Sequence, residues 1–237
     1  MALPLVNEVP EYDLTIPSTQ QHIKFRPFLV KEQKILLIAL ESQNQKNILD
    51  AIVNTIKACV LDDIKVRELA VFDVEYMFTQ IRAKSVGETS NVVISCSHDG
   101  CDIETEIKIP LETIKVEVSE KPPTIDLNSQ YRLKLKYPRY EHMLRAQESE
   151  DLKGAELLYH MTLGCLEALQ TDEANILFAD EGEEETKTFL ENLNTDQFNK
   201  IMEFVETVPS LKHEVVFNCA GCGKENKYTL QGINDFF

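Results

Sequence analysis

Val92-Val-Ile-Ser-Cys96-Ser-His-Asp-Gly-Cys101-Asp-Ile-Glu-Thr-Glu106 and Val215-Val-Phe-Asn-Cys219-Ala-Gly-Cys222-Gly-Lys-Glu-Asn-Lys227 carry one pattern twice. In each, an apolar run leads into a cysteine, a short turn containing glycine follows, a second cysteine closes the turn, and a polar-rich segment leads away. Strand-like runs on both sides of a short turn are the signature of a β-hairpin, so each copy reads as strand, cysteine-bearing turn, strand. Glycine in such turns, here Gly100 in one and Gly221 and Gly223 in the other, lets backbone amides point at sulfur and lets both thiolates of a pair converge on one ion. Two facing knuckles would supply Cys96, Cys101, Cys219 and Cys222 as a tetrahedral thiolate set. That is the arrangement of a structural zinc ribbon, with Zn–S near ~2.3 Å and no open coordination position. A closed site of this kind stabilises a fold and performs no catalysis.

The CxxCG of the second knuckle is the more specific spacing, since the first knuckle holds four residues between its cysteines. Two alternatives stand beside the zinc reading: reduced, unligated thiols, and a redox dithiol at Cys219 and Cys222. The redox reading is the weaker, because this CxxC does not open a helix after a strand. His98 is an alternative fourth ligand, although its position suits a turn residue. Cys59 and Cys165 fall on apolar helical stripes and read as core residues.

If zinc ties the knuckles together, residues 90–118 and 211–237 form one β unit although 119–210 separate them in the chain. The intervening stretch is then an insertion, clamped at its base by the metal. The expectation is therefore an α+β chain in three parts: an N-terminal hairpin with helices over 1–89, the zinc-ribbon-like unit of two Cys-bearing hairpins over 90–118 and 211–237, and a mainly helical insertion over 119–210.

Within the first part, residues 12–30 predict a β-hairpin, with Leu14 and Ile16 before a Pro17-Ser18-Thr19 turn and Ile23 and Phe25 after it. A helix over 31–42 carries the unbroken run Ile35 to Leu40 and is expected to be largely buried. A second places Ile48, Ile52, Ile56 and Cys59 on one stripe. The third has Asp73 as its expected N-cap and Val74, Met77, Phe78 and Ile81 at i, i+3, i+4 and i+7, a stripe expected to pack against the Ile35–Leu40 helix.

From residue 90 the period changes to two. Strands are expected at 92–95, 104–109 and 113–118, and Lys121-Pro122-Pro123 stops regular pairing. Tyr131-Arg-Leu-Lys-Leu-Lys-Tyr137 alternates as a half-exposed strand. Helices are expected over 152–169, with Leu158, Met161, Cys165 and Leu169 on one face, and over 195–208, with Phe198, Ile201, Met202, Val205 and Val208. Between them, residues 172–191 hold eight acidic residues and one lysine, a net charge of 1 − 8 = −7, and read as a solvated loop running into an acidic helix. Two last strands are expected at 214–218 and 226–230, before an aromatic tail ending Phe236-Phe237.

The whole chain carries 24 Lys and Arg against 40 Asp and Glu, a formal charge of −16. Such a balance argues against a nucleic-acid footprint, in which each phosphate contact wants a cation, and favours basic protein partners. The longest apolar run, six residues, is far short of the ~20 that span a bilayer. The opening Met1-Ala-Leu-Pro-Leu-Val-Asn-Glu8 has neither the basic nor the long apolar region of a secretory signal, and reducing conditions are expected for the cysteines. No GxxxxGK[ST], GxGxxG, HExxH or GxSxG motif occurs, and the five histidines are scattered. Arg132, Lys134, Lys136 and Arg139 make a local cationic face, for which pairing with the acidic 172–191 segment competes with phosphate binding.

Two long blocks, Leu14-Thr-Ile-Pro-Ser-Thr19 through Ile23-Lys-Phe-Arg-Pro-Phe-Leu-Val-Lys-Glu-Gln-Lys-Ile-Leu-Leu-Ile-Ala-Leu-Glu-Ser42, and Phe72-Asp-Val-Glu-Tyr-Met-Phe-Thr-Gln-Ile-Arg-Ala-Lys-Ser-Val-Gly-Glu88, resemble the T4-type bacteriophage baseplate hub assembly family of contractile-tailed phages. The likeness extends loosely over most of the chain and is weakest over 119–195. It implies a non-catalytic protein of phage tail morphogenesis, either a subunit at the baseplate hub or a chaperone for a hub or tape-measure component. Its partners would be other tail proteins, and its place the host cytoplasm during assembly or the tail baseplate of the virion. The resemblance carries over no catalytic residue, and zinc rests on the cysteines alone. A reading from another class is a zinc-ribbon-containing enzyme subunit or a CxxC thiol oxidoreductase.

Overall fold

The computed structural model describes residues 9–118, 122–148 and 154–236. Residues 1–8, Lys121 of the expected Pro-rich break, the start of the expected 152–169 helix and the terminal Phe237 lie outside the described residues. In chain order the elements are strands β1 (Tyr12–Thr15) and β2 (His22–Phe25), helices α1 (Val30–Glu41), α2 (Gln45–Cys59) and α3 (Val71–Ser85), and strands β3 (Thr89–Ser95) and β4 (Glu104–Pro110). There follow β5 (Thr124–Asp126), β6 (Arg132–Leu135), α4 (Tyr140–Glu148), α5 (Ala155–Cys165), β7 (Leu166–Gln170), β8 (Asn175–Leu177), α6 (Glu183–Glu191), α7 (Thr195–Glu206), β9 (Lys212–Asn218) and β10 (Glu225–Gln231). Two compact units result, one built from Met1–Val66, Phe72–Glu117 and Ser210–Phe237, the other from Arg67–Val71 and Val118–Pro209.

In the first unit β1 and β2 pair antiparallel, with Leu14 opposite Ile23 and Tyr12 opposite Phe25. Leu14, Ile16, Ile23 and Phe25 are buried, as alternation on a one-sided hairpin requires. The hairpin turn is fastened to α3 through Asp73, whose buried carboxylate accepts hydrogen bonds from the Ser18 amide at 2.9 Å and from the Ser18 hydroxyl. Asp73 is therefore not the N-cap of α3. The helix starts at Val71, and its first-turn carboxylate serves a partner 55 positions away, while still lying at the positive end of the helix dipole. Val74, Met77, Phe78 and Ile81 are buried on α3, and Leu49, Ile52, Val53, Ile56 and Cys59 on α2.

The expectation that α1 is largely buried fails. Ile35, Leu37, Ile38 and Leu40 are each half or more exposed, and only Glu32 and Ala39 on this helix are enclosed. The run Ile35 to Leu40 puts apolar side chains on every side of the helix, and only the side that carries Glu32 and Ala39 is enclosed. Phe78 lines a groove of about 330 Å³ together with Leu36 and Leu40 of α1 and Ile48 and Ile52 of α2. The enclosed Glu32 fixes the start of α1: one carboxylate oxygen accepts from the Leu29 amide at 2.8 Å and the other from Arg26 at 3.0 Å. Burial alone would raise the Glu32 carboxyl, but the Arg26 and Leu29 hydrogen bonds hold it below its ordinary range.

The remainder of this unit is a pair of hairpins. β3 pairs with β4 from Thr89 opposite Pro110 to Ser95 opposite Glu104, and β9 with β10 from Lys212 opposite Gln231 to Asn218 opposite Glu225. Their apolar faces meet in one cluster holding Ile94, Ile109, Val215 and Leu230, with Ala83 of α3. The strand expected at 113–118 is not a strand. A 3-10 turn over Leu111–Thr113 buries Leu111 and Ile114, and one bridge from Lys115 to Lys212 is all the pairing this segment makes among the described residues.

The second unit contains helices α4 to α7 and a four-stranded antiparallel sheet in the order β5-β6-β7-β8. Leu133 and Leu135 of β6 are buried as the alternation requires, and Lys134 pairs with Glu167 of β7 at 2.7 Å. The helix expected to run to residue 169 ends at Cys165. Leu166 and Ala168 alternate inward, and the chain passes straight into β7. Ile201 and Phe204 of α7 and Leu190 of α6 complete the core around Cys165. Among the described residues no helix is long and apolar enough to cross a membrane.

Candidate metal centre

The four knuckle cysteines converge. The sulfurs of Cys96, Cys101, Cys219 and Cys222 all lie within 4.8 Å of one another, with Cys96 to Cys222 and Cys101 to Cys219 at 3.7 Å each. A tetrahedron of thiolates around an ion with bonds of ~2.3 Å has edges of about 3.8 Å, which the Cys96–Cys222 and Cys101–Cys219 separations match. His98 is not among these residues; its carbonyl takes the Cys101 amide at 3.1 Å and closes the first turn. Cys59 and Cys165 are buried in the apolar cores, where loss of solvation pushes their thiols up to about 11 and about 12.

The two knuckles are built alike and hold each other in the same way. In the first, the Cys96 amide donates to the carbonyl of Ile103, two residues after its second cysteine; in the second, the Cys219 amide donates to Lys224, the equivalent position, at 3.0 and 2.9 Å. Across the pair, the Ser97 amide and hydroxyl each donate to the side-chain oxygen of Asn226 at 2.9 Å, and the Ala220 amide to the Thr105 hydroxyl at 3.4 Å. Ser97 and Ala220 each follow a first cysteine, and Thr105 and Asn226 each lie four positions after a second. The unit thus has an approximate two-fold symmetry centred on the sulfurs. Sequence reasoning missed Asn226, which is buried, and Thr105; the signal available was their matching place in the two aligned copies.

Glycine is required at two of the turn positions for different reasons. Gly223 has a φ of +70°, left-handed backbone that a side chain strains. Gly221 is needed for space, because a Cβ there would lie 2.6 Å from Cγ1 of Ile103 in the opposite knuckle. The amide of Gly221 in turn points at the Cys219 sulfur, 3.3 Å away.

Electrostatically the cluster is prepared for a cation. Backbone amides of Cys222 and Gly221 draw the Cys219 thiol down to about 6, which favours its thiolate form. The Ile103 amide acts in the same sense on Cys101, but burial and the neighbouring sulfurs outweigh it and push that thiol up to about 11. Four soft donors at tetrahedral spacing can hold a metal ion of zinc or iron type, and all four positions are then filled by protein.

The cationic and acidic segments singled out in the sequence meet within the second unit. Lys136, Arg139 and Arg145 line a cleft of about 540 Å³ that Glu181 and Glu183 also line. Burial pulls the Lys136 amine down, and Arg139 adds to that effect. On α6, Lys187 pairs with Glu183 at 2.9 Å and Glu184 at 3.4 Å.

No curated protein and no solved structure matches the chain. The family model of the T4 bacteriophage base plate protein, however, matches residues 9–237, which takes in the N-terminal hairpin, α1 to α3 and both cysteine knuckles. The chain belongs to the T4 bacteriophage base plate protein family.

Proposed function

We propose that this protein is a non-catalytic structural component of contractile tail assembly, acting by protein–protein binding as a baseplate hub subunit or as an assembly chaperone for hub or tape-measure components. Each chain carries one structural zinc on Cys96, Cys101, Cys219 and Cys222. The observation that carries this reading is the cluster of four cysteine sulfurs within 4.8 Å of one another inside a chain of the baseplate family. Four protein ligands leave no coordination position for a substrate, so the ion's work is to fasten two hairpins that lie 126 positions apart from Cys96 to Cys222. The protein acts in the host cytoplasm while tails are being built, and its acidic surface suits basic tail partners.

Metal analysis of protein purified without added metal tests the site. About one zinc per chain is expected, and Cys219→Ser should lose it together with several kcal/mol of stability. Folded protein without zinc, or an unchanged content in the variant, overturns the assignment. The biological role is tested by disrupting the gene: normal baseplates without the protein would refute a role in assembly. Mass spectrometry of purified particles then separates a hub subunit, present at stoichiometric level, from a chaperone, which is absent.

A further inference from the structure

We propose that α1 is a self-association helix, pairing antiparallel with α1 of a second copy of this chain about a two-fold axis between Leu37 and Ile38. At 3.6 residues per turn, Val30, Lys34, Leu37, Ile38 and Glu41 fall at i, i+4, i+7, i+8 and i+11 and form one face, opposite the enclosed Glu32 and Ala39. That outward face is apolar at its centre: Leu37 is 53% exposed and Ile38 55%, with Ile35 and Leu40 flanking them at 50% and 54%. A contiguous exposed apolar patch of this kind marks an interaction surface.

The arrangement of the residues selects the occupant. In an isologous two-fold pair, residue i of one copy meets residue j of the other and j meets i. About the axis between Leu37 and Ile38, Lys34 of each copy meets Glu41 of the other, and the Leu37 and Ile38 side chains of the two copies form the centre of the seam. The apolar centre of the face then packs on the same centre of the second copy, and the cation Lys34 meets the carboxylate Glu41. A parallel pair would set Lys34 against Lys34 and Glu41 against Glu41. Among the described residues no ion pair within the chain engages Lys34 or Glu41. Glu41 also ends the helix at its negative pole, where a lone helix disfavours a carboxylate and a neighbouring lysine from a second copy would relieve it. This charge complementarity is self-complementarity, which a foreign partner does not require.

The test is sedimentation equilibrium of the full chain with two charge reversals, Lys34→Glu and Glu41→Lys, both on exposed positions so that folding is preserved and can be verified by circular dichroism. The wild-type chain should dimerise. Each single variant places like charges opposite one another twice, and its dissociation constant should rise about tenfold. An equal mixture of the two variants should dimerise like wild type. In the mixed pair the reversed charge at position 34 of one copy meets the reversed charge at position 41 of the other, and the two unsubstituted residues, Glu41 and Lys34, meet as before. A wild-type chain that stays monomeric at every concentration overturns the proposal. So does a mixture that shows no recovery, and so does capture of a different tail protein by this face while the chain itself remains monomeric.

Discussion

Replacing Glu75 by glutamine should stabilise the protein at neutral and alkaline pH and leave it unchanged in acid. Glu75 sits on α3 with its side chain largely enclosed, an oxygen 3.8 Å from where a Cβ on Gly232 would lie, and the Ile233 amide donating to it. Burial outweighs that hydrogen bond and pushes the carboxyl from 4.5 up to about 7. Between those two values the native chain holds a proton that the unfolded chain has released. The native state binds more protons there, so stability falls as pH rises from 4.5 to about 7, and the loss is complete above that. The separation, 7 − 4.5 = 2.5, corresponds to about 3 kcal/mol at ~1.36 kcal/mol for each pH unit. Glutamine has the same shape, still accepts from Ile233 and carries no charge to desolvate. Urea unfolding of both proteins, read as their difference at each pH, isolates this group, because thiols and metal titrate alike in the two. The difference should be near zero at about pH 4.5 and reach ~2–4 kcal/mol in favour of the variant by about pH 8. A difference that does not vary with pH would refute the reasoning. A variant less stable at alkaline pH would mean that the Glu75 carboxylate is ionised and held by a favourable partner.

Phe78→Ala should cost ~3–5 kcal/mol in equilibrium denaturation, because the ring is buried on the inner stripe of α3; a loss under ~1 kcal/mol would show that the stripe is not core. Gly221→Ala should cost ~1–3 kcal/mol by forcing its new Cβ onto Ile103, and an Ile103→Ala background should remove most of that cost. Gly223→Ala, strained by its φ of +70° in open space, should cost ~1–2 kcal/mol whatever stands at position 103. A cycle in which Ile103→Ala rescues both glycine variants equally, or neither, would contradict the knuckle packing.

The features legible in the sequence are those whose cause is local. Each cysteine knuckle is a strand, a tight turn and a strand within about a dozen residues, and the second copy at Val215–Lys227 makes the first readable. The convergence of the four sulfurs follows once thiolates are treated as ligands for one ion. The hydrogen bonds that hold the knuckles in register are not legible, because Ser97 and Asn226 are 129 positions apart and an asparagine on a polar strand gives no sign of being buried. The cap reading of Asp73 fails for the same reason. A carboxylate near a helix start fits a cap, and only the fold brings Ser18 to it. In the second unit, Met161, Cys165 and Leu169 keep helical spacing while Leu166 and Ala168 keep strand spacing. Burial of both Leu166 and Ala168 decides for the strand beyond Cys165.

The error at α1 is of a different kind. Six consecutive apolar residues state that a segment avoids water, and the reading of Ile35 to Leu40 as core supplies the nearest place for it to go. Periodicity cannot tell a helix covered by its own chain from one covered by another, since both remove the same apolar surface from water. What distinguishes them is the amount of core available. The apolar stripes of α2 and α3 are buried, while on α1 only Glu32 and Ala39 are enclosed. The excess hydrophobicity of Leu37 and Ile38 is then surplus to the fold of a single copy. In a chain of the T4 bacteriophage base plate protein family, such a surplus fits the α1 pairing proposed above. The charges at Lys34 and Glu41 on that same face, of opposite sign and equidistant from its centre, argue that the surface it meets is its own.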